Sequence, residues 1–195
     1  ERPPNIPLAF TELEWLKGLT TLPLIVKGIR TAEDATLCME NGVDGLLVSN
    51  HGGRQIDTTL SSIETLPEIS VAVQGKMELY IDSGIRSGSD ILKALALGAK
   101  AVFIGRPLFW GLAIGGSMGV RKVLSILRTE LDEAMGYSGI SSIEHVDATI
   151  LSLPKHMKVP RNAAIRKIKD MALLLNQGKI TNQVFQSNKA KLLRP

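Results

Sequence analysis

Four short apolar runs constrain this chain more than any other feature: LPLIVKG (22–28), GLLVSN (45–50), ELYIDSG (78–84) and AVFIGRP (101–107). Each is rich in Leu, Ile and Val and closes on glycine or a polar residue, the pattern of short strands covered on both faces, as in a parallel sheet. Helical segments alternate with them. In TAEDATLCMENG, Thr31 and Asp34 resemble a capping box and Gly42 is a natural stop. In SGSDILKALALGAK, Ser89 is the expected cap and Gly98 the end. Thr11 and Glu14 are expected to open an earlier short helix carrying Leu13, Leu16 and Leu19. After the last run, Val120, Val123, Leu127, Leu131 and Ala134 recur at helical spacing and predict one long amphipathic helix, with Ser141 and Glu144 capping a short final one.

Strand–helix alternation predicts an α/β fold with a parallel sheet. A Rossmann-type sheet would carry GxGxxG after its first strand. That motif is missing here, and polar residues instead end several successive strands. This distribution fits a (β/α)₈ TIM barrel, whose active site is assembled at the C-terminal ends of many strands. Four strands make half of one.

The net charge of +4 is unevenly placed. Residues 151–195 hold ten Lys/Arg against Asp170 alone, whereas residues 1–150 hold thirteen against eighteen acids. The expected division is therefore a motif-bearing unit, residues 1–152, and a basic tail, residues 153–195, with the edge near Pro154 and Pro160 and a further helix available in IRKIKDMALLLNQG. The tail has no aromatic beyond Phe185, so it reads as a solvated extension rather than a nucleic-acid-binding arm. No apolar run reaches bilayer length and no charged-then-apolar leader opens the chain, so no membrane partner is expected. The first residue is Glu1, as in a processed product or fragment. The single cysteine, Cys38, sits in a helix-like segment and reads as a small buried side chain, and no spacing of His, Cys or carboxylates resembles a metal site.

Three loops at strand ends carry the chemistry: SNHGGRQ, DSGIRSG and FIGRP. His51 is a potential base and Arg54, three residues on, a carboxylate clamp. Glycines in the other two loops free backbone amides to approach an anion, and Arg86 and Arg106 supply forked donors, so a phosphate site is expected there. The competing reading is that Gly84 and Gly105 merely permit tight turns while the arginines meet surface acids. Lys27 ends an apolar strand either at the mouth of the site or snorkelling out of the core, and Ser49 either donates to a ligand or finishes its strand. His145 and His156 lack such company and are expected to face solvent.

VKGI, SNHGGRQ, SSIETLPEI, DSGIRSGSDILKALALGAKAVFIGRP and SGISSIE together resemble the FMN-dependent L-2-hydroxy-acid oxidases and dehydrogenases, from about Thr11 to Ile150. The resemblance implies the C-terminal half of a (β/α)₈ barrel, FMN as cofactor, and oxidation of a small L-2-hydroxy acid to the 2-oxo acid, with oxygen or another acceptor reoxidising the flavin. By position it implies His51 as the base, Arg54 as the grip on the substrate carboxylate, and Lys27 and Ser49 as flavin contacts. It likewise implies Asp82, Ser83, Gly84, Ile85, Arg86, Gly105 and Arg106 as the loops around the ribityl phosphate. A homo-oligomer and a peroxisomal location are also implied, although the chain closes on Leu193, Arg194 and Pro195 rather than an SKL-type signal, leaving the cytoplasm as the other location. Departures exist. Ser83 stands where the family commonly has glycine, IDTT lacks a glycine often found after the arginine loop, and the family's substrate-contacting tyrosines and histidine-pairing aspartate belong to its first half. Tyr80 and Tyr137 are poor substitutes for them. The alternative reading is thus a truncated paralogue or fragment that retains FMN-phosphate binding or a partner-binding role.

Overall fold

Each of the four apolar runs becomes a strand, and all run parallel: β1 Ile25–Ile29, β2 Gly45–Val48, β3 Glu78–Ile81 and β4 Ala101–Val102, side by side in chain order. The computed structural model describes residues 10–154, 157, 171, 174, 175 and 177–192. Connections between the strands are helical: α2 Ala32–Glu40, α3 Ser62–Val73 and α4 Gly88–Ala96. Helix α1 Thr11–Leu19 precedes the sheet, and α5 Arg106–Tyr137 and α6 Asn182–Leu192 follow it.

Strand register sorts the side chains by face. Val26, Leu46 and Leu79 are level with one another, as are Lys27, Leu47, Tyr80 and Ala101 one residue further along. Because strand side chains alternate, the two rows point to opposite faces. The first face forms the core. Leu46, Val48, Leu79 and Ile81 pack with Ala35 and Cys38 of α2, Leu66, Ile69 and Val73 of α3, and Ala94 of α4. The second face is open at its margins, with Ile25 47% and Phe103 51% exposed. Only β2 is buried along its whole length, which corrects the expectation that all four strands are covered on both faces. β1 and β4 are the edges of the sheet, and in the Lys27 row Leu47 is buried while Lys27 and Ala101 are exposed.

Most helix boundaries follow the expected chemistry. Thr31 caps α2 by accepting from the Asp34 amide at 3.2 Å, and Gly42 ends it with φ +70°. Two caps differ. Ser87, not Ser89, caps α4, accepting from the Asp90 amide while Asp90 accepts from the Ser87 amide in return. Helix α1 opens at Thr11 as expected, with Phe10 in the cap position, and Ser142 rather than Ser141 caps the 3₁₀ turn Ile143–His145. In each case the capping position is set by where the preceding chain leaves its turn, which neighbouring serines cannot distinguish in sequence. The long final helix begins at Arg106 and is interrupted at Gly115–Gly116, where the chain turns back so that Gly111 and Gly119 lie face to face. Helix α3 has no counterpart among the expected segments, since Pro67 interrupts its pattern. Ser61 and Glu64 offset the loss at its start, the Ser61 amide donating to Glu64 Oε2 at 2.9 Å.

Beyond residue 150, Leu151, Leu153 and Met157 pack against the core, and Phe185 of α6 is 1% exposed. An aromatic anchor is therefore buried in a stretch whose composition reads as solvated. The segment IRKIKDMALLLNQG and His156 lie largely or wholly outside the described residues. No helix among the described residues is long and apolar enough to cross a membrane.

Candidate active site

β2 ends at Val48, and the chain passes through Ser49 and Asn50 into a 3₁₀ turn, His51–Gly53. Three successive residues there have positive φ: His51 at +57°, Gly52 at +70° and Gly53 at +74°. Glycine tolerates this region freely, whereas histidine does so at a cost of about 1–2 kcal/mol, so the turn must be held by its surroundings. It is held at four points. The His51 amide donates to Ser49 Oγ at 3.0 Å, the Gly53 amide to Asn50 Oδ1 at 3.2 Å, the Gly52 amide to Ser83 Oγ at 2.9 Å, and Arg106 Nη2 to the Gly52 carbonyl at 3.2 Å. The Asn50 amide in turn donates to Ser62 Oγ, a fully buried hydroxyl at the start of α3. Loops after β2, β3 and β4 are thereby stitched together through the histidine turn.

Lys27 reaches the same place from β1. Its ammonium donates to Ser49 Oγ at 2.7 Å and forms an ion pair with Asp82 at the end of β3. Ser83 Oγ also donates to Asp82 Oδ1 at 2.7 Å. Burial pushes the Asp82 carboxyl up, but the Lys27 ammonium and the Ser49 and Ser83 hydroxyls more than offset it and hold the group below the usual carboxylate range. Asp82 is thus a carboxylate at neutral pH, and its ion pair holds the Lys27 side chain at the strand ends. Ser49 does finish the strand and is 2% exposed, but its hydroxyl serves Lys27 and the histidine turn at once.

Two adjoining cavities open at this rim. The first, about 260 Å³, brings together Lys27, His51 and Arg54 with the loop Asp82–Arg86 and with Gly105 and Arg106. A Cβ built on Gly84 or Gly105 would meet nothing within 4 Å, and the amides of Gly84, Ile85 and Gly105 find no acceptor among the described residues. Open glycines, unpaired amides and two guanidinium groups make a cradle for a phosphate-sized anion. Arg86 lies over the Trp110 ring, 5.1 Å from its centre, and donates to its own loop at Ile85 O, 2.9 Å away. The second cavity, about 340 Å³, shares Lys27 and His51 and adds Ser49, Asn50 and Gln55.

All the sequence-expected site residues lie on these two cavities, with Ser49 lining the second alone and Arg54 the first alone. Sequence reasoning missed Asn50 and Ser62, which anchor the histidine turn, and Phe103 and Phe109, which wall the first cavity. An Asn at the start of HGG was a legible capping signal. The aromatics gave none, because only the turn into α5 brings Phe109 to the rim. Tyr80 is engaged with Glu78 and sits edge-on to Phe103 at 5.9 Å, Tyr137 is 91% exposed, and His145 faces solvent.

The family model for FMN-dependent dehydrogenases matches residues 4–153. The chain is similar to 2-hydroxyacid oxidase 1 of Mus musculus, 51% identical over 74% of this chain and 39% of the relative, and to an L-lactate oxidase of a Nostoc species, 50% identical over 76% and 41%. Among solved structures it resembles a mandelate oxidase with (S)-2-phenylpropionate, with a TM-score of 0.69 and 46% identity, covering 72% of this chain and 42% of that one. The chain therefore spans about two-fifths of the length of the relatives it matches.

Proposed function

Because this chain belongs to the FMN-dependent dehydrogenase family, we propose that it forms the FMN- and substrate-binding part of an enzyme that oxidises a small 2-hydroxy acid to the 2-oxo acid. One observation supports the reading above all: a base, a carboxylate clamp, an anion cradle and the Lys27 ammonium, drawn from four consecutive strand ends, line one cavity. The cradle fits FMN. Its open glycines and free amides at Gly84 and Gly105, with Arg86 and Arg106, suit the phosphate, and Lys27, paired with Asp82, offers a fixed positive charge to the flavin ring. When bound, FMN supplies a two-electron acceptor.

The protein's own groups do the rest. Arg54, which has no acceptor among the described residues, pairs with the substrate carboxylate through two parallel N–H donors and so orients C2. His51, held in its positive-φ turn, receives the proton that leaves the substrate. The division into residues 1–152 and a basic appendage at 153–195 belongs to the same proposal and rests on the charge asymmetry of the sequence, and the peroxisomal location and a homo-oligomer rest on the family resemblance.

The test separates binding from turnover. Titration of the purified chain with FMN should quench flavin fluorescence, and Arg106→Ala should weaken that binding by about tenfold or more, the loss of one charge-assisted contact. With glycolate or lactate the loaded protein should release 2-oxo acid. His51→Ala should abolish product while leaving FMN affinity within about twofold, since a lost proton acceptor is a kinetic defect. Full turnover in that variant would remove His51 from the reaction, and FMN binding without turnover in the parent chain would favour the non-catalytic reading.

A further inference from the structure

The second cavity contains a cation that nothing in the proposed chemistry uses. Arg30 lies just beyond β1, half-buried, and lines this cavity with Lys27, Ser49, His51 and Gln55. Its guanidinium has no hydrogen-bond or ion-pair acceptor among the described residues. Asp34 shares a shallow neighbouring cavity with Arg30, yet the two form no ion pair. None of the described residues lining the second cavity is a carboxylate, and the Lys27 ammonium is already engaged by Asp82 and Ser49. Among the described residues Arg30 is therefore the uncompensated charge of that space. The flavin phosphate does not account for it, because Arg86, Arg106 and the free amides of the first cavity serve that group.

We infer that Arg30 is a specificity-determining residue that binds a second carboxylate, so that the favoured substrates are 2-hydroxy dicarboxylates. The inference rests on the proposed function. His51 and Lys27 form the wall shared by the two cavities, with Arg54 on one side and Arg30 on the other. A substrate whose C2 meets His51 and whose C1 carboxylate is gripped by Arg54 extends its other end into the second cavity. There Ile56 offers an apolar wall for intervening methylenes, and the Gln55 amide can share the carboxylate with Arg30. A monocarboxylic acid of the same length leaves the guanidinium unpaired and gains only apolar contact.

The experiment measures binding of redox-inert product acids to the FMN-loaded chain by calorimetry. 2-Oxoglutarate is compared with 2-oxovalerate, and oxaloacetate with 2-oxobutyrate; each pair shares a carbon count and differs in the terminal carboxylate. The dicarboxylate of at least one pair should bind about tenfold more tightly or better, and added salt should narrow the gap. Arg30→Leu should erase the preference while leaving monocarboxylate affinity unchanged, a pattern that general destabilisation would not give. Equal affinity within both pairs, or a preference that survives Arg30→Leu, overturns the inference and leaves the proposed function intact. Failure of all four acids to bind would instead remove the substrate site itself, and both readings with it.

Discussion

At the scale of single residues the most informative side chain is Ser83. The family resemblance marks it as a departure, a serine where glycine is common, and the structure shows what the exchange does. Ser83 has φ +75°, which for a residue with a Cβ costs about 1 kcal/mol or more. In return its hydroxyl donates to Asp82 and accepts from the Gly52 amide, fastening the histidine turn to the Lys27–Asp82 pair. Two substitutions separate strain from attachment. Ser83→Ala keeps the strained backbone and loses both bonds, and should lower unfolding free energy by about 1–2 kcal/mol. Ser83→Gly loses the bonds but relieves the strain, and should fall within about 0.5 kcal/mol of the parent. Urea melts of both variants check this; an Ala variant as stable as the parent would show that the hydroxyl holds nothing, and equal stability of the Ala and Gly variants would show that the backbone there is unstrained.

At the scale of elements, the start of α4 matters because it presents the Asp82–Arg86 loop. Ser87 and Ser89 are nearly equivalent in sequence, and their hydroxyls lie 2.9 Å apart. Only Ser87 has extended backbone and takes part in the reciprocal pair with Asp90. Ser87→Ala should therefore cost about 1 kcal/mol, the usual value of an N-cap, whereas Ser89→Ala should change stability by less than about 0.5 kcal/mol. Thermal or urea unfolding of the two variants decides the assignment, and a larger loss at Ser89 would reverse it. The next residue, Gly88, explains the tight seating of the helix: its amide donates to Glu130 Oε2 at 2.8 Å, and a Cβ there would collide with the Leu131 backbone of α5.

At the scale of the whole molecule, the core between the sheet and α2–α4 can be read through Cys38, which is fully buried. Burial, with a smaller contribution from the Asp34 carboxylate, pushes its thiol from 9.0 up to about 11. The folded state thus retains a proton that the unfolded chain releases between those values. By linkage this group's contribution to stability is intact below pH 9.0 and is lost as pH rises towards about 11. Urea melts across that range should show a steeper alkaline decline for the parent than for Cys38→Ala, the difference isolating the thiol from lysines and tyrosines that titrate nearby. Identical slopes would mean that Cys38 is reached by solvent without global opening.

The sequence by itself determined the local facts: four apolar runs that can only be strands, the α2 cap at Thr31, the glycine stops, and three polar loops bearing His51, Arg54, Arg86 and Arg106. These depend on neighbours within a few positions, so composition and spacing reveal them. Tertiary structure alone decided the rest. Parallel pairing brings β1–β4 level, and that register carries Lys27 to Ser49 and Asp82 and brings Ser83 under Gly52, across separations of 22, 55 and 31 residues. Exposing Lys27 and Ala101 on one face, burying Phe185 and setting Arg30 on one cavity with His51 all depend on where distant backbone runs. Such proximities arise from the geometry of a twisted parallel sheet rather than from any spacing along the chain.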